Sequence, residues 1–310
     1  MTAQVTRPKI SVLTPCLNGA RHVGEAIDSV LLQRYCSAEH IVADGASTDG
    51  TLEILRRHSH LRTLSAPDRG LYDALNNALA TARGEFIGIL NCDDSYADNV
   101  FVSVVAAFED PGVMAVAGDA VAFRDAGGAR TVVEGYTAVE KDLLTLCTLG
   151  NPFMNAWFFR ACVFEQIGRF DASYRVAGDR EFMLRFALSG LRYVTTGKLA
   201  YRYRLHPGSM TFSGEAAIGE TVLREHHRMT GHYLRKPDLS KKARGMIRRA
   251  RSRDAICGAL YWARHYDVRK LLSHALAGTR HDFAWPARFA GQVVRGWAVR
   301  LGWRQQGGRI

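Results

Sequence analysis

In the N-terminal third of the chain, short apolar runs alternate with helical stripes. Lys9–Thr14 is a nearly continuous apolar segment, the kind of strand that is buried on both faces. Ala20–Arg34 places apolar residues at Val23, Ile27, Val30 and Leu31, the spacing of one helix face. Glu39–Asp44 predicts a second strand, and Ser47-Thr48-Asp49 offers cap chemistry for a helix over Thr51–His58. Leu61–Ser65 reads as a short strand, Leu71–Arg83 as a helix stopped by Gly84, and Phe86–Leu90 as a further apolar strand. This alternation implies βαβ units in a mainly parallel sheet, where ligands bind beyond the carboxyl ends of the strands. Three of those strands end in polar or acidic clusters, Thr14-Pro15, Asp44-Gly45 and Asn91-Cys92-Asp93-Asp94, which should meet along one edge.

Beyond Asp110 the pattern loosens. Val113–Phe123 and Arg130–Glu134 predict strands, Leu143–Phe153 a connecting and binding region, Arg180–Leu188 a helix, and Tyr193–Tyr203 a strand. From Glu215 onward the chain reads as helices, with apolar stripes at Val268, Leu271, Leu272, Ala275 and Leu276 and again at Ala290, Val293, Val294, Trp297, Ala298 and Leu301.

The composition, 47% hydrophobic and 23% charged over 310 residues, excludes a mostly disordered chain. No apolar run reaches the roughly 18–20 residues of a membrane-spanning helix, and Met1–Lys9 has no signal-peptide core, so a cytoplasmic protein is expected. The six cysteines are scattered without a CxxC pair, as expected for reduced thiols. Net charge is +11 and uneven: residues 215–310 hold 20 basic and 7 acidic residues, whereas residues 1–214 hold 21 and 23. A basic helical extension with interleaved tryptophans suits an anionic membrane surface, or simply a solvated face. Nothing in it matches a nucleic-acid-binding motif, so no nucleic-acid partner is expected.

Carboxylates directly after an apolar strand make packing sense only if they face a cation or solvent, or cap the next helix. Asp93-Asp94 suits Mg²⁺ or Mn²⁺ bridging phosphate oxygens; the alternative is capping of a helix over Tyr96–Phe108. The pair is accompanied by Ser11-Val12-Leu13-Thr14-Pro15-Cys16-Leu17-Asn18, by Asp44–Thr51 (DGASTDGT), by Asp68–Asn76 (DRGLYDALN) and by Gly84–Asp94 (GEFIGILNCDD). Together these four ordered segments resemble the family 2 glycosyltransferases. The resemblance is strong over residues 9–110 and fair to about residue 210.

The resemblance implies an α/β, Rossmann-like GT-A fold over residues 1–214, with a mainly parallel sheet flanked by helices. Its nucleotide-binding half would be about 9–110 and its acceptor half about 111–214, followed by a basic helical extension over 215–310. It implies an inverting, metal-dependent transfer from a nucleotide diphosphate-sugar, a UDP-sugar foremost, to a saccharide or lipid-linked acceptor. Asp44 would accept from the base; Thr14, Pro15, Asn18, Asp68 and Asp73 would line the donor site; Asp93 would face the ribose and Asp94 the Mn²⁺ or Mg²⁺. Asp179 would be the general base, with Glu181 its competitor and a plain helix cap its alternative. His206 would be a further metal ligand or diphosphate contact, with Arg202, Arg204 and Ser209 as phosphate candidates. Trp157 would floor the acceptor site or sit in the core. A nucleotidyltransferase and a non-catalytic nucleotide-sugar-binding protein are the rival readings. The first lacks a Gly-rich, basic triphosphate loop after the first strand, where Thr14–Gly19 stands instead.

Overall fold

A computed structural model describes residues 10–33, 35, 37–126, 129–138, 142–209, 216–264 and 268–279. The chain divides into two compact units, Met1–Ile218 and Gly219–Ile310.

The first unit is an α/β fold around one curled sheet. β1 (Ile10–Cys16) is buried along its whole length. Parallel to it run β2 (Ala38–Asp44) on one side and, on the other, β4 (Phe86–Ile89); β3 (Leu61–Ser65) adds outside β2. The crossovers are α1 (Val23–Leu31), α2 (Thr51–Arg56) and α3 (Leu71–Thr81). α1 turns Val23, Ala26, Ile27 and Val30 into the core, the helical period seen in the sequence. This half of the sheet is therefore entirely parallel, and β1, β2 and β4 finish side by side.

After β4 the chain makes a two-residue strand, β5 (Ser95–Tyr96), before α4 (Val100–Ala107). The helix over Tyr96–Phe108 thus begins later than the local cap signal suggests. Tyr96 instead joins the sheet and donates its hydroxyl to Ile89 O, while buried Gln33 Oε1 accepts the Val100 N–H at 2.8 Å and caps α4 from α1's end of the fold.

The second half of the sheet is mixed. β6 (Ala115–Ala126) forms a hairpin with β7 (Ala129–Tyr136), and β8 (Trp157–Arg160) inserts antiparallel between β4 and β6. β9 (Tyr193–Arg204) runs parallel to β6 and ends against β5, giving the order β3-β2-β1-β4-β8-β6-β9-β5. α5 (Leu143–Leu149), a 3-10 turn at Met154–Ala156, α6 (Ala161–Gln166) and α7 (Gly178–Ser189) complete the unit. Trp157, expected either at an acceptor site or in the core, is core: it is 1% exposed, and its indole N–H donates to Pro152 O.

The second unit contains all but the first three residues of α8 (Ala216–Leu234), with α9 (Lys241–Arg264) and α10 (Val268–Thr279). α9 buries Ala243, Met246, Ile247 and Ala250 on one face and exposes Arg248 and Arg249. On α10, Val268, Leu272 and Leu276 stand exposed in one row. The apolar stripe over Ala290–Leu301 lies outside the described residues. Among the described residues no helix is long and apolar enough to cross a membrane.

Candidate active site

The strand ends meet as the topology requires, and the loops that follow them are tied together by short-range polar bonds. Asn18 N–H donates to Ser47 Oγ at 2.8 Å and its side-chain oxygen accepts Thr48 N–H at 2.9 Å. Gly19 N–H donates to Thr51 Oγ1, and Ala20 N–H to Asp49 Oδ2. The DGASTDGT segment is therefore a brace between the loops after β1 and β2. Asn18 adopts the left-handed backbone (φ 52) that this brace needs and that an asparagine tolerates.

Asp44, at the end of β2, is 2% exposed, and its Oδ2 accepts from Ser65 Oγ (2.7 Å) and Ser47 N–H (3.2 Å). Asp68 closes against the same place. A Cβ on Gly45 would lie 2.7 Å from Asp68 Oδ2, so a side chain at position 45 would push Asp68 away. Asp68 Oδ1 accepts Gly70 N–H. Asp73 closes the start of α3, taking the Arg69 N–H and guanidinium, and that pairing holds its carboxyl below the usual carboxylate range. Pro15 is buried within β1.

The adjacent acids after β4 have opposite environments. Asp93 is partly exposed and its Oδ2 lies 3.0 Å from His206 Nε2. Gly208 N–H donates to His206 Nδ1, which leaves the ring proton on Nε2, toward Asp93. The ring of His22 sits 5.2 Å from that of His206, with its buried Nε2 unpartnered. Burial, and after it the charge of Arg204, lowers its pKa below the ordinary imidazole value. Asp94, in contrast, is 1% exposed. Its Oδ2 accepts from the Tyr201 hydroxyl (2.7 Å) and Asn91 Nδ2 (3.0 Å), and its Oδ1 from Arg204 N–H (2.7 Å). Burial and the charge of Asp93 push its carboxyl well above the usual range, while these three donors act in the opposite sense. Asp94 therefore does not face phosphate or solvent: it is an internal tie joining the loop after β4 to the end of β9.

Other expectations change for the same reason. Thr14 is fully buried and its hydroxyl bonds to His40 Nε2 at 2.8 Å, inside the sheet rather than in the crevice. Arg204 is 3% exposed, with its guanidinium paired to Glu25 and Asp125, lying over Phe123 and donating to Asp93 O. Its guanidinium is taken up by these partners. Ser209 is buried and accepts His206 N–H, fixing the turn that presents His206. Arg202 donates to Tyr96 O.

At the start of α7, Asp179 Oδ1 lies 3.3 Å from the Tyr72 hydroxyl. Glu181 is buried and bound by Arg185 through both carboxylate oxygens, so it is not available to an acceptor. Sequence reasoning does not single out Tyr72, Tyr201 or His22. Tyr72 at least lies within a motif, whereas Tyr201 and His22 carry no local signal.

The cysteines at this edge are thiols in contact. Cys92 interacts with Cys16, and that bond, burial and the nearby Asp93 and Asp94 hold its pKa well above the usual thiol range. Such a thiol is a poor nucleophile.

Residues 11–168 match the family described as Glycosyl transferase family 2. A "PGL/p-HBAD biosynthesis glycosyltransferase" of Mycobacterium bovis is 30% identical over 190 residues, covering 57% of this chain and 69% of the relative. Among solved structures, S. aureus TarS 1-349 in complex with UDP-GlcNAc superposes with a TM-score of 0.60 at 17% identity, covering 88% of this chain and 91% of that one. The full S. aureus TarS chain is longer, and the match covers 44% of it. The mannosyltransferase PcManGT from Pyrobaculum calidifontis, in complex with GDP-Man and Mn²⁺, gives a TM-score of 0.61 at 20% identity, covering 96% and 82% of the two chains.

Proposed function

This chain belongs to glycosyl transferase family 2, and from that premise we propose that it is an inverting, metal-dependent transferase that uses a UDP-sugar. The observation that carries the reading is the pairing of Asp93 with His206 beside a fully satisfied Asp94. The Asp93 carboxylate at the mouth suits Mg²⁺ or Mn²⁺, and an imidazole beside it favours Mn²⁺, which accepts nitrogen as well as oxygen. Among the described residues no three-residue cluster of metal-ligating side chains forms, so a cation here would take its remaining ligands from diphosphate and water. Asp93 and His206 would hold the ion, and when bound it offsets the charge of the diphosphate leaving group. We thus assign the metal contact to Asp93 rather than Asp94.

Asp44 accepts a base N–H: Ser65 and Ser47 bind Oδ2, and Oδ1, which has only the long arm of the Ser47 N–H at 3.4 Å, is the oxygen it offers. Asp68, Asn18 and the backbone at Pro15 shape the rest of the nucleotide pocket. Asp179 removes the proton from an acceptor hydroxyl as that oxygen attacks the anomeric carbon opposite the nucleotide; one displacement without a covalent intermediate gives inversion. The transferred group would be a hexose or N-acetylhexosamine, and the acceptor a saccharide or lipid-linked saccharide in surface polysaccharide synthesis. Here S. aureus TarS with UDP-GlcNAc and PcManGT with GDP-Man and Mn²⁺ support a nucleotide-sugar donor and a divalent ion.

The second unit supports a peripheral seat on an anionic cytoplasmic membrane face. Its exposed α10 row of Val268, Leu272 and Leu276, and the 20 basic against 7 acidic residues of 215–310, are the features such a surface attracts.

A donor panel tests the reading. The purified chain is incubated with UDP-, GDP- and dTDP-sugars and Mn²⁺ or Mg²⁺, and released nucleotide is measured. UDP release from one or a few UDP-sugars is expected. Release only from GDP- or dTDP-sugars would overturn the donor assignment, and no release from any would favour a non-catalytic binder.

A further inference from the structure

Two motif residues of α3, Tyr72 and Asn76, take no part in the donor chemistry above. Both grip the segment that leads into α7. The Asn76 side chain donates to Phe170 O (2.8 Å) and accepts Phe170 N–H (3.1 Å), clamping both backbone groups of one residue. One turn earlier, the Tyr72 hydroxyl donates to Val176 O at 2.7 Å and stands 3.3 Å from Asp179 Oδ1. The Tyr72 ring is buried and lies on the backbone of Gly178: a Cβ there would come within 2.7 Å of the ring carbons. The residue before Asp179 is a glycine because the ring occupies the space of a side chain.

Burial and the charge of Asp179 hold the Tyr72 phenol well above its ordinary pKa, so the group is a neutral hydroxyl with a single proton. That proton is divided, its short arm on the Val176 carbonyl at 2.7 Å and its long arm on Asp179 Oδ1 at 3.3 Å, while the same Oδ1 accepts the Arg180 N–H at 2.6 Å. With the ring on Gly178, the phenol oxygen is held on the far side of the carboxylate oxygen from its own helix. α3 follows the loop of Asp68, on the donor side, so the helix that begins at the nucleotide pocket also sets the start of α7.

We propose that Tyr72 is a positioning residue for transfer: its hydroxyl, anchored on Val176 and seated on Gly178, fixes the orientation of the Asp179 carboxylate toward the acceptor hydroxyl. The proposal rests on Asp179 being the base. Tyr72 touches neither substrate and acts through Asp179.

The test is a mutant cycle of Tyr72→Phe, Asp179→Asn and the double variant, with kcat and donor KM measured for transfer and nucleotide affinity by calorimetry. Tyr72→Phe keeps the ring on Gly178, so Tm should move by no more than about 4 °C. Its kcat should fall roughly 10–100-fold while donor KM and nucleotide affinity hold, the split expected when a reacting group is misplaced. In the Asp179→Asn background, Tyr72→Phe should have no further effect, because its action runs through the missing carboxylate. Gly178→Ala displaces the ring without removing the hydroxyl and should lower kcat in the same way. If Asp179→Asn is inactive while Tyr72→Phe turns over normally, or if the two losses multiply in the double variant, the positioning role is wrong and the base assignment stands. If Asp179→Asn keeps full turnover, the base assignment falls and takes the positioning role with it.

Discussion

The two stretches that build the crevice do so by different means. Residues 10–110 bring their site groups to the edge by strand order and by bonds within and between neighbouring loops, such as Asn18 with Ser47 and Thr48. Residues 150–209 supply Asp179 and His206 through contacts that span the chain: Tyr72 meets Asp179 across 107 positions and His206 meets Asp93 across 113. The first stretch can be read locally because its chemistry is written in the loops that carry it. The second depends on partners that no local pattern names. The loop after β4 belongs to both, which is why its two acids part: Asp93 turns to the later stretch through His206, and Asp94 is drawn inward by Tyr201 and the Arg204 backbone.

The largest expected break falls at Asp179. Asp179→Asn should lower the transfer rate by roughly 10²–10⁴-fold while nucleotide affinity by calorimetry stays unchanged, since the proposed base touches only the acceptor. A loss of nucleotide affinity instead would place Asp179 in the donor site.

Next comes the contrast between the two acids. Asp94→Ala strands the Tyr201 hydroxyl, the Asn91 amide and the Arg204 N–H in the interior. It should cost about 3 kcal/mol or more in denaturant unfolding. Asp93→Ala removes a partly exposed group and should change stability by less than about 1 kcal/mol. Equal effects on stability would erase the distinction.

The parallel core makes a pH prediction. His40 is buried, its Nδ1 has no partner, and burial with the charges of His60 and His58 lowers its pKa from 6.5 to about 3. The folded value lies below the unfolded one, so the unfolded chain takes up the proton first as pH falls. Its contribution is complete above pH 6.5 and is lost between pH 6.5 and about 3. At pH 4.5 the loss amounts to about 3 kcal/mol, read as a falling unfolding midpoint in denaturant titrations. His40→Gln should flatten that part of the profile.

The smallest effect is expected at Glu181. Because Arg185 holds both of its oxygens, Glu181→Gln should leave kcat within about twofold while lowering Tm. A dead but folded Glu181→Gln protein would move the base role there.

Much of the fold is legible in the amino-acid sequence. Strand–helix alternation locates β1 to β4, and the acidic strand ends point to the edge where ligands bind. Where side chains turn is not legible there. Asp93 and Asp94 are equivalent on paper, and their separation depends on Tyr201, 107 residues from Asp94. Arg204 looks like a phosphate donor because Glu25 and Asp125, which neutralise it, are distant in sequence. Thr14 looks like a polar strand end open to a ligand, but its partner is a histidine of the neighbouring strand. The delayed start of α4 has the same origin, since its cap is Gln33, 67 residues upstream. β8 escapes detection because Trp157–Arg160 is a four-residue segment, too short for periodicity to tell strand from helix.

Asp93, with His206, is proposed to hold the cation of the donor site while Asp94 only holds the loop. Calorimetric titration of UDP into metal-stripped protein, with and without Mn²⁺, tests it directly on the unaltered chain and on Asp93→Asn. Mn²⁺ should tighten UDP binding by about tenfold or more, equivalent to roughly 1.4 kcal/mol, in the unaltered protein and leave Asp93→Asn unchanged. Equal UDP affinity with and without Mn²⁺ in the unaltered protein, or a full Mn²⁺ response in Asp93→Asn, would contradict it.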